Sequence, residues 1–551
     1  MKFESVQLPF GQPITEAYIN RNNPGVEALF GSHAAEAAHW EKRLNWLNSH
    51  ADKRTTADGL ADALARYNAV MNNNQPAVKS NIDAIRAGAP VVVTGQQAGL
   101  WTGPLLVIHK AVTVIAAARE AASKLGTPVV PVFWIAGEDH DWDEANHAYV
   151  RSASASSEAE PSKLGRIAIK RPSGARSSVS RTKLAPDAWA DALQHLSREL
   201  PDTEFKPELL MQLEQAAKQS ESLSDLFAAT MGLLFGKYGL VLLDADDPVI
   251  RALEAPMFEQ MIARGDELEA AYTSTANEVK ELGFKLSADV TPGSANLFMF
   301  DEGERVLLHK EDGGFRNRKS TKTWSMPELL GMAANKPEQL SNNVLTRPIM
   351  QDYVLPVLAV VLGPGEIAYW ALTGRAFQVL GMEMPIVVPR MSYTLVEQTT
   401  AKYMAKFELS FDDVAYRYAA RREAWLKERD ELGIEARFAE VKAQLHAVYQ
   451  PVMDMAAGIA RGLRDLSETN LQRIERELAY MEARTKDAHA HRFDTALSQM
   501  DWVAVSLWPD GKPQERVINM ADFWNRYGLS WVDKLLEAPY SSQGGHWMIY
   551  L

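Results

Sequence analysis

The sequence predicts an α/β protein: a parallel-sheet core with inserted segments, followed by a C-terminal α-helical coiled coil. Three observations carry this. A β-branched run, Val91-Val-Val-Thr94, leads through the glycine loop Gly95–Gly103 into the helical stretch Pro104–Leu125; after Gly126-Thr-Pro comes a second apolar run, Val129–Ala136. Strand, crossover helix and strand form a βαβ unit, which is parallel and right-handed. A third apolar run, 239–243, follows the helical stretch Leu223–Tyr238 and ends in Asp244-Ala-Asp-Asp247. Finally, Val441, Leu445, Val448, Val452, Met455, Ile459 and Leu463 recur in steps of three and four among Glu, Lys and Arg, close to a heptad seam.

Composition narrows the function classes. The 551 residues are 46% hydrophobic and 23% charged, enough for several domains with a large core. Lys plus Arg number 58 against 71 Asp plus Glu, a net charge of −13, which argues against a bulk grip on nucleic acid or anionic lipid. Cysteine is absent, so there is no disulfide, thiolate nucleophile or Cys-ligated metal. The N-terminus lacks the pattern of a signal peptide. The longest apolar runs are about half the ~20 residues of a membrane helix. A cytoplasmic protein is expected, with no nucleic-acid or membrane partner.

Residues 1–90 read as a helical segment packing on the core: Ala34, Ala37, Trp40, Leu44 and Leu47 share a helical spacing, as do Leu60, Leu64 and Tyr67. The core is expected over 91–396. Within it, 151–200, rich in Ser and poor in large apolar residues, reads as an insertion of loops. A second insertion near 295–345 holds a hairpin, Leu297–Phe300 with Arg305–His309, and a turn at Asp312-Gly-Gly. Leu355–Leu362 suits a strand or a helix, and Pro385–Val388 suits a strand. Residues 397–500 are helical, either a projecting coiled coil or two amphipathic helices packed on the body. Pro451 implies a kink or a helix boundary there. The seam slips at Asn470. The segment 501–551, rich in Trp and Tyr, is expected to return to the core.

Because parallel strands end at one edge, the loop Gly95–Gly103 should neighbour the acidic loop that follows Val129–Ala136. Gly95, Gly99 and Gly103, with Gln96 and Gln97 between, form neither a Walker A loop nor a dinucleotide fingerprint. They fit either a ligand-hugging backbone at a helix N-terminus or a tight turn with positive φ. Glu138, Asp139, His140, Asp141, Asp143 and Glu144, with His147 beyond, are the densest polar cluster. Alternation favours Glu138, His140 and Asp141. Metal ligation, amine binding with general base catalysis, and a solvated helix cap all suit such a cluster. His109 and Lys110 sit early in the crossover helix, where His109 is either a core residue or a phosphate contact. Gly363-Pro-Gly365-Glu366 with Tyr369 and Trp370, then Arg390 and Ser392, add charge and aromatic walls at further strand ends. Arg347, Gln351 and Asp352 lie just before them.

Six segments in order then carry a resemblance across nearly the whole chain. VVVTGQQAGLWTGPLLVIHK (91–110), PVFWIAGEDHDWDEANH (131–147), NVLTRPIMQDYVLP (343–356), GPGEIAYW (363–370), PRMSYTLVE (389–397) and KPQERVINMADFWNRYG (512–528) resemble the bacillithiol biosynthesis cysteine-adding enzymes. The resemblance implies a Rossmann-like core with connecting insertions and a coiled coil that forms a homodimer. It also implies a ligase joining the carboxyl of L-cysteine to the glucosamine amine of glucosaminyl-malate. A carboxylate is a poor electrophile at neutral pH, so this chemistry needs activation, as an acyl-adenylate or acyl-phosphate from ATP with Mg²⁺. On this reading the glycine loop, His109, Lys110 and Arg390 hold phosphates and stabilise charge, while Glu138, Asp139, His140 or Asp141 bind the cysteine ammonium or deprotonate the attacking amine. The His-x-Gly-His motif of Rossmann enzymes that adenylate carboxylates is absent. No resident metal is expected. Two rivals are a metal-dependent amide or phosphoester hydrolase built on the Glu138–Asp141 cluster, and a non-catalytic ligand-binding scaffold.

Overall fold

The structure, a computed structural model, describes residues 2–152, 164–311, 313–317 and 322–551. Residues 2–152, 164–396 and 513–551 form one compact unit, and 397–512 belong to a second.

The first unit begins with strand β1 (Lys2–Val6) and helices between residues 13 and 86. Its centre is a five-stranded parallel sheet of β2 (Val91–Gln96), β3 (Val130–Ile135), β4 (Val241–Asp244), β5 (Val357–Leu362) and β6 (Ile386–Pro389). The spatial order is β6-β5-β2-β3-β4, every pair parallel. Helix α1 (Leu106–Leu125) makes the crossover from β2 to β3. The sheet strands are almost wholly buried, so they read as apolar runs rather than alternations. Alternation persists in which face each residue serves: Val92, Phe133 and Val361 join one apolar cluster, Val93, Trp134 and Val360 the other. Leu355–Leu362, open to either reading from sequence, is strand from Val357.

β7 (Met391–Val396) and β8 (Gly545–Tyr550) run parallel, and β1 pairs antiparallel with the other side of β8. The C-terminal segment thus reaches the core sheet region, with residues 501–512 in the helical unit instead. The 151–200 segment holds more regular structure than a run of loops. Leu164–Ala168 pairs with His147–Arg151 in a separate two-stranded ribbon, and Pro186–Glu199 is a helix burying Trp189, Ala192 and Leu196. Their helical spacing is masked by the polar residues around them. The Ser/Ala run from 153 and the turn residue Asp312 lie outside the described residues. The second insertion does carry its hairpin, Ser294–Asp301 with Glu304–Glu311, inside a five-stranded antiparallel sheet.

Helices α2 (Arg347–Val354) and α3 (Pro364–Trp370) flank β5 and carry site residues. In the second unit, α4 (Ile434–Ile459) and α5 (Arg461–His491) pack as an antiparallel hairpin, with Lys442 on Glu482 at 2.6 Å and His446 on Glu475 at 2.6 Å. The helix runs through Pro451, and the reversal falls at Ala460 (φ −154°, ψ 137°). Apolar periodicity continues on both sides of that reversal, so spacing alone does not reveal the turn. Asn470, where the seam slips, lies inside α5.

Candidate active site

Chain order makes β2 the strand from which the path leaves in both directions: β3 and β4 lie on one side, β5 and β6 on the other. Ligands of open α/β sheets bind outside the strand C-terminal ends at such a reversal. A cavity of about 270 Å³ opens there, lined by Gly95, Gln96 and Gln97 after β2, Ala136, Glu138, Asp139 and Glu144 after β3, Asn342, Asn343 and Val344 from the insertion, Arg347 on α2 and Glu366 on α3. The parallel register sets Gly95 beside Trp134 and Gln96 beside Ile135. The Gln97 side-chain amide donates to the Asp141 carbonyl at 2.8 Å, tying the two loops together.

The charged groups differ in how far they are already satisfied. Lys110 Nζ lies behind the cavity floor, bonded to the Gly95 carbonyl at 2.6 Å, Gln96 Oε1 at 2.8 Å and Glu366 Oε2 at 2.5 Å. Burial pulls its pKa below the usual lysine value, and Glu366 opposes this. Glu366 Oε2 also accepts the Gly363 N–H at 2.8 Å. Arg347 donates to the Tyr369 hydroxyl and has no carboxylate partner within salt-bridge distance among the described residues. A Cβ at Gly95 would stand 3.2 Å from Arg347 Nη1 and 3.1 Å from the Trp134 carbonyl oxygen, so glycine is what lets the guanidinium lie against the strand end. Glu138 is buried against Arg251, which also holds Glu254 at 2.7 Å and lies 3.6 Å from Asp246. Asn342, 2% exposed, has neither its amide nitrogen nor its amide oxygen bonded to protein. A buried amide left so is costly unless a ligand or water satisfies it.

Several expected site residues lie elsewhere. Gly99 and Gly103 pack backbone on backbone, a Cβ at Gly99 coming within 2.9 Å of the Gly103 Cα, and Gly103 has φ +69°. Asn519 donates to the Trp101 and Gly103 carbonyls at 2.9 and 2.7 Å, and the Leu105 N–H donates to the Ile518 carbonyl at 2.9 Å. The C-terminal segment therefore covers the N-terminal end of α1, and the loop is a clamped tight turn. His109 is fully buried; its Nδ1 meets Glu515 Oε2 at 2.7 Å, and burial lowers its pKa, so it is a neutral core residue. Arg390 forks onto Glu515 at 2.7 and 2.8 Å, with the Ser392 hydroxyl donating to the same carboxylate at 3.4 Å. Arg390 and Ser392 line a different cavity, about 630 Å³, with residues 5–10, Arg516 and His546. Asp352 pairs with Arg43 at 2.5 Å and Arg54 at 3.6 Å; Arg43 also bonds the carbonyl of Val357, so this group sits at the N-terminal edge of the sheet. Gln351 and Trp370 are buried away from the cavity, Trp370 against Phe377. Gly363 caps α3, and Gly365 is exposed beside it. His140 lies 3.2 Å from Arg305 Nη1 and against Phe298. Asp139 accepts the backbone N–H of His140 and Asp141 at 2.7 and 3.2 Å, and Asp141 caps the short helix Trp142–Ala145. No three His, Asp or Glu among the described residues converge to hold a metal ion.

The residues that sequence reading misses are Asn342, Asn343, Arg251 and Glu515, and the alternation that favours Glu138, His140 and Asp141 passes over Glu144. One signal pointed to Arg251: Arg251 and Glu254 stand one turn apart in the otherwise apolar stretch Pro248–Phe258.

Fold and cavity together define a Rossmann-like α/β protein with a cavity at the strand reversal and a helical coiled-coil unit. Residues 1–391 match the family described as "Bacillithiol biosynthesis BshC, N-terminal Rossmann-like domain", and 393–551 match its "C-terminal coiled-coil domain". The chain belongs to the BshC family of bacillithiol biosynthesis. Curated relatives carry the name "Putative cysteine ligase BshC". The one from Geobacillus thermodenitrificans is 36% identical over 100% of both chains, and the one from Symbiobacterium thermophilum is 36% identical over 89% of both. A third, from Geobacillus sp. WCH70, is 33% identical over 100% of both.

Proposed function

We propose that this protein is a ligase that joins the carboxyl group of L-cysteine to the glucosamine amine of glucosaminyl-malate, forming an amide in bacillithiol synthesis. The names of its relatives support the class of reaction. One observation carries the reading: the cavity gathers a guanidinium without a carboxylate (Arg347), a buried amide without a partner (Asn342) and acidic side chains opposite them. That set complements a small zwitterion next to a hydroxyl-rich amine. Arg347 would hold the cysteine carboxyl, and the side-chain amides would orient the amino sugar. The pairing of Glu138 with Arg251 and the siting of His140 against Arg305 do not favour a metal-dependent hydrolase.

ATP is proposed as the co-substrate that activates the carboxyl group. Its phosphates do not fit the Gly99–Gly103 turn, whose backbone is already occupied by Asn519 and Ile518. The decisive assay combines protein, L-cysteine, glucosaminyl-malate, ATP and Mg²⁺, and follows thiol product and nucleotide by mass spectrometry. Product with AMP marks an acyl-adenylate, product with ADP an acyl-phosphate, and no product counts against the ligase reading. Arg347→Met should lower kcat/KM for cysteine by roughly 100-fold, the loss of a charged hydrogen-bond pair. An unchanged value would remove Arg347 from cysteine binding.

A cytoplasmic homodimer completes the proposal. No helix among the described residues is long and apolar enough to cross a membrane. Helix α4 exposes Val441, Val448, Val452, Met455 and Ile459 at three-, four- and seven-residue steps, a stripe suited to a second copy. Light scattering should give twice the chain mass for the wild type and a single-chain mass for Val448→Glu/Ile459→Glu; equal masses would sink the interface.

A further inference from the structure

Amide formation requires the attacking amine to lose a proton, and the cavity holds four carboxylates that could take it: Glu138, Asp139, Glu144 and Glu366. Three are committed. Glu138 is locked against Arg251. Glu366 is held by Lys110 at 2.5 Å and by the Gly363 N–H at 2.8 Å. Asp139 accepts two backbone N–H groups of its own loop. Glu144 differs. Its backbone N–H is bound to Asp141 Oδ1 at 3.2 Å, which fixes where the residue starts, yet its carboxylate has no hydrogen-bond or ion-pair partner among the described residues.

We propose that Glu144 is the catalytic base that accepts the proton of the attacking amine, a role that rests on the amide-ligase reading above. The amine lone pair forms the C–N bond at the activated cysteine carbonyl. The C–O bond to the activating group breaks, and that group leaves with the bonding electrons. The nitrogen's surplus proton passes to a Glu144 carboxylate oxygen. Glu144 is suited to this by its surroundings. Partial burial and the charges of Asp139 and Asp141 raise its pKa, Lys110 opposing them, so it holds a proton more readily than an ordinary glutamate. A base nearer in strength to the amine is the more effective one. The committed carboxylates would have to break an ion pair or a loop turn to do the same.

The test compares Glu144→Gln, Glu144→Asp and wild type with two nucleophiles: the amino sugar, and hydroxylamine, whose nitrogen on attack carries a far more acidic proton that water can take without a protein base. Glu144→Gln should lower kcat with the amino sugar by about 100-fold or more, leave KM for cysteine within about twofold, and retain wild-type hydroxamate formation. Glu144→Asp should restore part of the loss. Because Glu144 faces solvent at the cavity mouth, the thermal midpoint of each variant should match the wild type. Equal losses with both nucleophiles, or no loss with the amino sugar, overturn the assignment. If the wild type makes hydroxamate but no amide with the amino sugar, the substrate reading has failed, and the base assignment with it. A wild type that makes neither product refutes the ligase reading itself.

Discussion

Arg251→Leu should cost about 3–5 kcal/mol of stability, because it leaves buried acids without their shared cation. Arg251 is fully buried and faces Glu138, Glu254 and Asp246 together. Arg181 still holds Asp246 by two bonds of 2.8 and 2.9 Å, and Arg305 lies close by, but neither reaches Glu254. The lysine variant should recover only part of the loss, since one ammonium cannot fork onto several carboxylates. Glu254→Gln makes the informative contrast. Burial pushes the Glu254 carboxyl up to about 8 against the pull of Arg251, so a neutral amide of the same shape should cost far less than removing the cation. The sign follows from linkage: a carboxyl raised in the folded state contributes most below its unfolded value, and the contribution fades as pH rises through about 8. Urea unfolding followed by Trp fluorescence at several pH values reads both effects. Equal costs for the leucine and glutamine variants would show that the acids do not depend on Arg251. Arg251 also fixes Glu138 where it lines the candidate cavity.

Glu515→Leu should be nearly as damaging, at about 3–5 kcal/mol, because it strands the buried Arg390 guanidinium and removes the acceptor of His109. Replacing Arg390 and Glu515 together by Met and Leu should recover much of that loss, since the larger cost lies in an unpaired buried charge. A double variant as unstable as the sum of the singles would contradict this. Arg390 and His109 hold the Glu515 carboxyl well below the usual carboxylate range. Its stabilising contribution is therefore full above that range and is lost as pH falls through the acid region. Glu515→Gln should flatten the acid limb of a stability–pH curve.

Much of the core was legible because it depends on local rules. Val91–Thr94 is a β-branched run and Val130–Ile135 an apolar one, divided by a helix with clear punctuation, and that alone places Gly95 next to the Glu138 loop. The order of the strands was not legible: nothing in Val357–Leu362 states that it will lie beside β2 rather than at an edge. Arg390 follows a strand end in the sequence reading, yet it turns to another cavity because its partner, Glu515, comes from a distant segment. The same holds for the glycine loop, whose role as a clamped turn is decided by Asn519. His109 illustrates the converse. On an apolar helix it was open to a core role or a phosphate contact, and one buried carboxylate decided for the core. Alternation passes over Glu144 because it assumes an extended loop, whereas Trp142–Ala145 winds into a helical turn that directs it to the cavity.

The position of β2 also bears on how the chain acquires its shape. One flank of β2 is matched early, by β3 across a single helix, while the other must wait for β5, with two insertions and the β4 region intervening. Contacts so distant along the chain are slow to form, because a long loop must be closed before they return any stabilisation. During that delay Val91, Val92 and Val93 present an unpaired apolar edge. The strand that leads into the candidate cavity is thus also where a half-assembled chain is most exposed to capture by another copy of itself.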